Sequence, residues 1–271
     1  MRTREKEEAV RMETKRSAFP GREDPVLTVM CQARTPERFL ELARDAAAGG
    51  ADAAGLQLDQ LEQVYRTPAH YDAMLRGTEG LPVYATNYRH SRSEGLSDEI
   101  LAEQLLALAD RGAALCDLMG DYYDPTPGEL TRSPAAAERQ RALIERFHER
   151  GARVLMSSHV LRFLPRDEVL EIAKTHEARG ADVSKIVTAA DTEEELMENL
   201  DTALALRREL KIPFLFLAGG SRCRLQRMIG PMLGCCMWLC VTEYDELATR
   251  AQPLLEDVLE LRRRIEGTGE K

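Results

Sequence analysis

The 271-residue chain contains no run of about 18 apolar residues, no apolar leader near its start, and no Lys/Arg block beyond its first 25 residues. These absences argue against a membrane span, against a secretory route and against a nucleic-acid partner. The balance of 37 basic against 46 acidic side chains gives a net charge of −9. The six cysteines, Cys31, Cys116, Cys223, Cys235, Cys236 and Cys240, form no CxxC pair and suggest no disulfide framework. Reduced thiols and a cytoplasmic location are therefore expected. With 18 Gly, 12 Pro and 44% hydrophobic residues, the composition is that of a globular protein, not of a fibrous or disordered one. A chain of this size buries enough surface to fold without disulfides or metal.

What the chain does have is a short apolar run alternating eight times with an amphipathic segment. The runs are 26–31 (VLTVMC), 53–59 (AAGLQLD), 82–88 (PVYATNY), 114–120 (ALCDLMG), 153–159 (RVLMSSH), 183–190 (VSKIVTAA), 213–219 (PFLFLAG) and 237–242 (MWLCVT). Each has strand length, and most are apolar on both alternating faces, the pattern of a parallel sheet covered on both sides. Helical periodicity fills 36–48, 70–75, 97–111, 133–151, 166–179, 192–210, a short stretch near 222–228, and 252–266. Thr35-Pro36, Ser97, Ser133-Pro134 and Asp191-Thr192-Glu193-Glu194 supply helix starts, and Gly112, Gly151 and Gly180 supply stops. Eight units of about 30 residues predict an α/β fold, a single (β/α)8 TIM barrel over 26–271. The charged extension 1–25 is expected to be a disordered tail or a capping helix. A doubly wound open sheet is the alternative, but Cys31-Gln32-Ala33-Arg34-Thr35 lacks the glycine motif that its first turn would carry.

A barrel of this kind places its chemistry at the C-terminal ends of the strands. The polar residues there are Gln57 and Asp59, then Tyr88, Arg89 and His90, then Asp117 and Asp121, then Ser158 and His159, then Lys185, then Gly219–Arg222, and finally Thr242 and Glu243. Lys185 stands inside the apolar strand Val183-Ser184-Lys185-Ile186-Val187. Burial disfavours its charged form: at pH 7 an ordinary lysine is neutral in roughly one molecule in a few thousand, against about a quarter if tuned to about 7.5. A neutral buried amine attacks carbonyls to form a Schiff base. A structural ion pair, or a side chain reaching for the rim, is the alternative. His159 ends the neighbouring strand, about 4.8 Å away, so the two side chains can share one substrate. His70, His90, His148 and His176 are expected on the surface or in loops, His90 at the border of the site.

These residues, in this order, resemble type I 3-dehydroquinate dehydratase, a (β/α)8 Schiff-base lyase of the shikimate route. The likeness runs from about Val26 to Gln252. Its strongest parts are Leu155-Met156-Ser157-Ser158-His159 and Gly180-Ala181-Asp182-Val183-Ser184-Lys185-Ile186. The resemblance implies that Lys185 forms an iminium with the ring ketone of a cyclic keto-acid and that His159 moves the proton in a syn loss of water. Thr86-Asn87-Tyr88-Arg89 followed by Glu94-Gly95 looks like the segment whose arginine grips substrate and whose glutamate orients the histidine, with one extra residue between them. By the same likeness Arg227 would bind the substrate carboxylate, Gln57 would contact the ring and Gln252 would serve as a lid glutamine. No cofactor and no metal is implied, and a homodimer is implied because the family commonly dimerises. Two departures stand out: Gly55 and Gln57 occupy positions where the family places a glutamate and an arginine, and the loop after strand eight lacks the family's Pro-Gly-Gln lid.

Two other readings remain open: a diverged Schiff-base enzyme acting on another carbonyl compound, and a catalytically reduced homologue that binds a metabolite. Gly219-Gly220-Ser221-Arg222 reads first as a turn and second as a phosphate site. Cys235, Cys236 and Cys240 cluster but lack a fourth metal ligand nearby; Cys236 and Cys240 are expected to fill the barrel interior on the face of Trp238, leaving Cys223 as the exposed thiol. Glu193–Glu198 is expected to be a solvated helix start.

Overall fold

The computed structural model describes Phe19 and residues 25–266. The rest of the 1–25 extension, expected to be a tail or a capping helix, lies outside the described residues. Phe19 itself is buried in the core.

Eight parallel strands make one sheet: β1 (Val26–Cys31), β2 (Ala53–Gln57), β3 (Val83–Thr86), β4 (Leu115–Met119), β5 (Arg153–His159), β6 (Val183–Ala189), β7 (Phe214–Gly219) and β8 (Met237–Cys240). Neighbours run β7-β6-β5-β4-β3-β2-β1-β8, so every strand except the β1–β8 pair lies beside its neighbour in sequence. The ring closes where the Cys236 amide donates to the Phe214 carbonyl at 2.8 Å, beside a single bridge from Phe214 to Cys235. The expected single (β/α)8 barrel is what the chain forms.

Helices α1 (Pro36–Ala48), α2 (Pro68–Arg76), α3 (Asp98–Ala109), α4 (Pro134–Glu149), α5 (Arg166–Ala178), α6 (Glu193–Glu209), α7 (Cys223–Ile229) and α8 (Leu255–Glu266) wrap the outside. Their starts follow from the sequence. Thr35, Thr67 and Ser133 each cap a helix whose first residue is proline, a residue with no amide to leave unpaired. Thr192 and Glu195 form a reciprocal capping box at the acidic start of α6.

Strand parity splits the core into two layers. Registers such as Thr28↔Ala53, Gly55↔Tyr84, Ser157↔Lys185 and Lys185↔Leu215 align one set of side chains toward the barrel axis. The other set, including Leu27, Val29, Leu56 and Val154, packs against the helices. Trp238 and Cys240 belong to this outer layer, packed with Phe39, Leu255 and Val258. That corrects the expectation that they fill the interior: the parity of β8 gives the interior to Met237 and Leu239 instead. Cys223, expected exposed, is also buried, and Cys236 is the cysteine of intermediate exposure.

The Gly219–Arg222 segment is a turn. Gly220 has φ of +85°, and a Cβ there would come within 2.6 Å of the Ala190 carbonyl. The Ser221 amide already donates to the Asp191 carboxylate, which leaves no welcome for phosphate. No helix among the described residues is long and apolar enough to cross a membrane.

Candidate active site

Lys185 projects from the middle of β6 into the barrel and is 4% exposed. Its Nζ donates to Asp117 Oδ2 at 3.0 Å and to the Tyr84 hydroxyl at 3.3 Å, and it also contacts the Tyr88 hydroxyl. The amine is thus partnered, not isolated as its apolar strand suggested. Asp117, on β4 two strands away, is the hub. Its carboxylate accepts from Tyr84 at 2.5 Å, Tyr88 at 2.6 Å and Ser157 at 2.5 Å as well as from the lysine. Burial alone would push the Asp117 carboxyl up; the Lys185 ammonium, then His159 and the hydroxyls of Ser157 and Tyr84, outweigh it and hold it below the usual range. Burial and then the Asp117 charge push both tyrosines well above their ordinary value, so their hydroxyls stay protonated and donate.

His159 sits at the end of β5, one pleat nearer the mouth than Lys185, because Ser157 and not His159 is the residue in register with the lysine. Tyr88 joins the two. Its hydroxyl meets the amine while the imidazole packs edge-on against its ring, with centroids 4.9 Å apart. The Nδ1 of His159 lies 2.6 Å from Glu129 Oε2, and the same oxygen accepts the His159 backbone amide at 3.0 Å. Glu129 comes from the loop between β4 and α4. Glu94, expected to orient this histidine, stands exposed on the loop after β3, and the histidine's carboxylate partner is Glu129 instead.

Arg227 on α7 is half-buried, with its Nε bound to the Ala218 carbonyl at 2.6 Å. Burial lowers its pKa, and no acidic side chain pairs with it among the described residues. It is therefore a cation with unused donors near the end of β7. Arg89 is the opposite case. Its guanidinium takes both oxygens of Asp98, at 2.6 and 2.9 Å, and Asp121 Oδ1 at 2.7 Å, so it braces two loops and has no fork left for a substrate. The reason is parity: Tyr84 and Tyr88 both reach the axial Asp117, so Arg89, the next residue along, points to the other side.

On the β1–β2 side, Gln57 accepts from Gln32 at 2.9 Å and donates to Asp59 at 3.2 Å. Asp59, fully buried and raised by that burial, also accepts the Tyr88 amide and faces His90 Nδ1 at 3.2 Å. His90 thus borders the site as expected. Gly55 makes room for Met30, whose thioether a Cβ at that position would strike. Gln252 is buried beyond β8 with its side-chain oxygen unpaired, and its carbonyl accepts from Tyr244 at 2.8 Å. Lys185 and His159 are brought together, Gln57 ends β2, Arg227 reaches the end of β7 from α7, Arg89 is held by its two aspartates, and Glu94 stands exposed.

A model of type I 3-dehydroquinase matches residues 27–264, the whole barrel. The chain belongs to that family. Among the chain's relatives, the 3-dehydroquinate dehydratase of Alkaliphilus oremlandii is 33% identical over 95 residues, 34% of this chain and 37% of that protein. The 3-dehydroquinate dehydratase of Methanosarcina barkeri is 27% identical over 224 residues, 82% of this chain and 88% of that protein. The match to the first relative thus spans well under half its length. The crystal structure of 3-dehydroquinate dehydratase from Geobacillus kaustophilus superimposes with a TM-score of 0.75 at 18% identity, covering 92% of this chain and 94% of that one. It shares the fold.

Three residues of this candidate site escaped sequence reasoning. Asp117 was visible as a strand-end acid but carried no role; an acid at an inward position of an apolar strand is the same signal that singled out Lys185. Tyr84 looks like any strand aromatic until its register beside Leu115 places it on the axis. Glu129 lies in Pro125-Thr126-Pro127-Gly128-Glu129-Leu130, a loop without periodicity to say where it points.

Proposed function

We propose that the chain is a Schiff-base hydro-lyase that takes 3-dehydroquinate, or a close cyclic keto-acid, to its dehydrated enone. The observation that carries this reading is the Lys185 amine, buried in the barrel beneath His159 and paired with Asp117. After passing a proton to the network, the amine attacks the ketone carbon. The ketone oxygen leaves as water, and a C=N+ iminium remains. His159 then takes the proton from the neighbouring carbon and gives it to the β-hydroxyl, which departs as a second water. Hydrolysis of the iminium consumes one water and frees lysine and product, so the net change is loss of one water. Arg227 supplies the uncompensated cation for the carboxylate.

The mouth favours a second reading beside this one, the same chemistry on a different carbonyl compound. Met30 covers Gly55 and Gln57 is bonded to Gln32 and Asp59, where the resemblance places two contacts to ring hydroxyls, and Arg89, the expected grip, is held by two aspartates. An unmade hydrogen bond in a buried site costs about 1 to 3 kcal/mol. Borohydride reduction separates the readings. Wild type with 3-dehydroquinate should gain the mass of the reduced adduct on Lys185 and raise the enone absorbance, and Lys185→Met should do neither. Trapping with other cyclic ketones but not with 3-dehydroquinate supports the second reading, and no trapping with any carbonyl leaves a metabolite-binding homologue.

A further inference from the structure

We propose that Glu129 is the positioning residue for His159, fixing its tautomer so that Nε2 is the nitrogen available to substrate; this rests on the Schiff-base reading above. A carboxylate can only accept hydrogen bonds. With Glu129 Oε2 at 2.6 Å from Nδ1, the Nδ1 must carry the hydrogen, and the lone pair of the neutral ring sits on Nε2. The same oxygen takes the His159 backbone amide at 3.0 Å, so main chain and ring are oriented by one group. When the imidazole gains a proton, the adjacent negative charge stabilises it without any movement. The other charged or titratable groups facing the ring are the Lys185–Asp117 pair and Tyr88, which packs its edge contact from β3.

The loop that carries Glu129 is built to hold that geometry. Glu129 has φ of +46°, a left-handed conformation unusual for a side chain of its size and retained where the surroundings enforce it. Its carbonyl accepts from Ser158, the residue beside His159, at 2.8 Å. Arg179 donates to the Gly120 carbonyl at 2.6 Å, to the Gln140 side chain at 2.8 Å and to the Thr131 carbonyl, tying both ends of the loop together. Gln140 adds bonds to the carbonyls of Gly120 and Tyr122, each at 3.0 Å. Gly120 is required where the loop folds back: a Cβ there would lie 2.7 Å from the Glu129 carbonyl. None of these partners needs the Glu129 carboxylate, which is committed to His159 alone among the described residues.

Two variants test this. Glu129→Gln keeps the shape and removes the charge, and Glu129→Ala removes both. Nitrogen-15 spectra of the histidines should show Nδ1–H for His159 in the wild type and a shift toward Nε2–H or a mixture in Glu129→Ala. With the substrate that traps on Lys185, kcat should fall about 10- to 100-fold in Glu129→Ala with little change in KM. Glu129→Gln should show a smaller loss of kcat. Adduct formation on Lys185 should persist in both. Unchanged spectra, or a wild-type kcat in Glu129→Ala, would overturn the role. If no carbonyl traps on the wild type, the Schiff-base reading fails while the spectra still decide which group orients the ring.

Discussion

Asp117 shows how a buried charge survives in a barrel interior. Its two oxygens meet an ammonium and three hydroxyls, so neither the acid nor Lys185 is left as an uncompensated ion. Such a pair adds little beyond what well-packed apolar groups would give, yet breaking it from one side is costly, about 3 to 5 kcal/mol. Asp117→Asn should therefore lower the unfolding free energy by an amount of that order, and the double variant Asp117→Asn, Lys185→Met should lose clearly less than the two single losses combined. Urea denaturation of the four proteins measures the coupling; strictly additive losses would show that the pair is not what compensates these charges. At this scale the sequence was half legible. Lys185 announced itself by breaking an apolar strand, but its partner could be found only by counting inward positions across strands, which needs the register.

The helix α5 is tied to the barrel wall by a polar side chain rather than by apolar contact alone. His176 is fully buried; its Nδ1 lies 2.9 Å from Ser184 on β6 and its Nε2 3.1 Å from Ser158 on β5. Its place was readable: Val169, Ala173 and His176 fall at i, i+4 and i+7, the buried face of the helix. The residue type, usually a surface one, argued the other way, and position won. Burial, with a smaller contribution from Arg179, lowers its pKa to about 3 from the ordinary 6.5. The unfolded chain therefore binds a proton here, between those values, that the folded chain refuses. The stability that neutral His176 contributes is complete above about pH 6.5 and drains away as the pH falls toward 3. Thermal melts at pH 7 and pH 4.5 should show a large drop for the wild type and a smaller one for His176→Gln; equal drops would mean that this histidine is not a source of the acid sensitivity.

Over the whole molecule, alternation alone predicted eight strands and the helices between them, because each βα unit repeats the same local problem of covering an apolar strand. Long-range facts were not written that way. Arg89 turns from the axis to Asp98 and Asp121, and Glu129 reaches His159 from a loop that no periodicity describes. The closure of the ring is a further case. Strands β1 to β7 pair with successive neighbours along two to six residues, and β8 pairs with β1 over Met237–Cys240, but β7 meets β8 through one bridge and the Cys236 amide. On that side the Phe216 amide donates to the Cys235 thiol at 3.5 Å, a weak acceptor in place of a carbonyl. The barrel should therefore open first at this seam. In native-state hydrogen exchange the Phe216 and Cys236 amides should exchange at lower free energy than those of Lys185 to Thr188 in β6, whose ladders are complete on both sides. Equal protection across the seam and β6 would mean that apolar packing, not the backbone ladder, sets where this barrel yields.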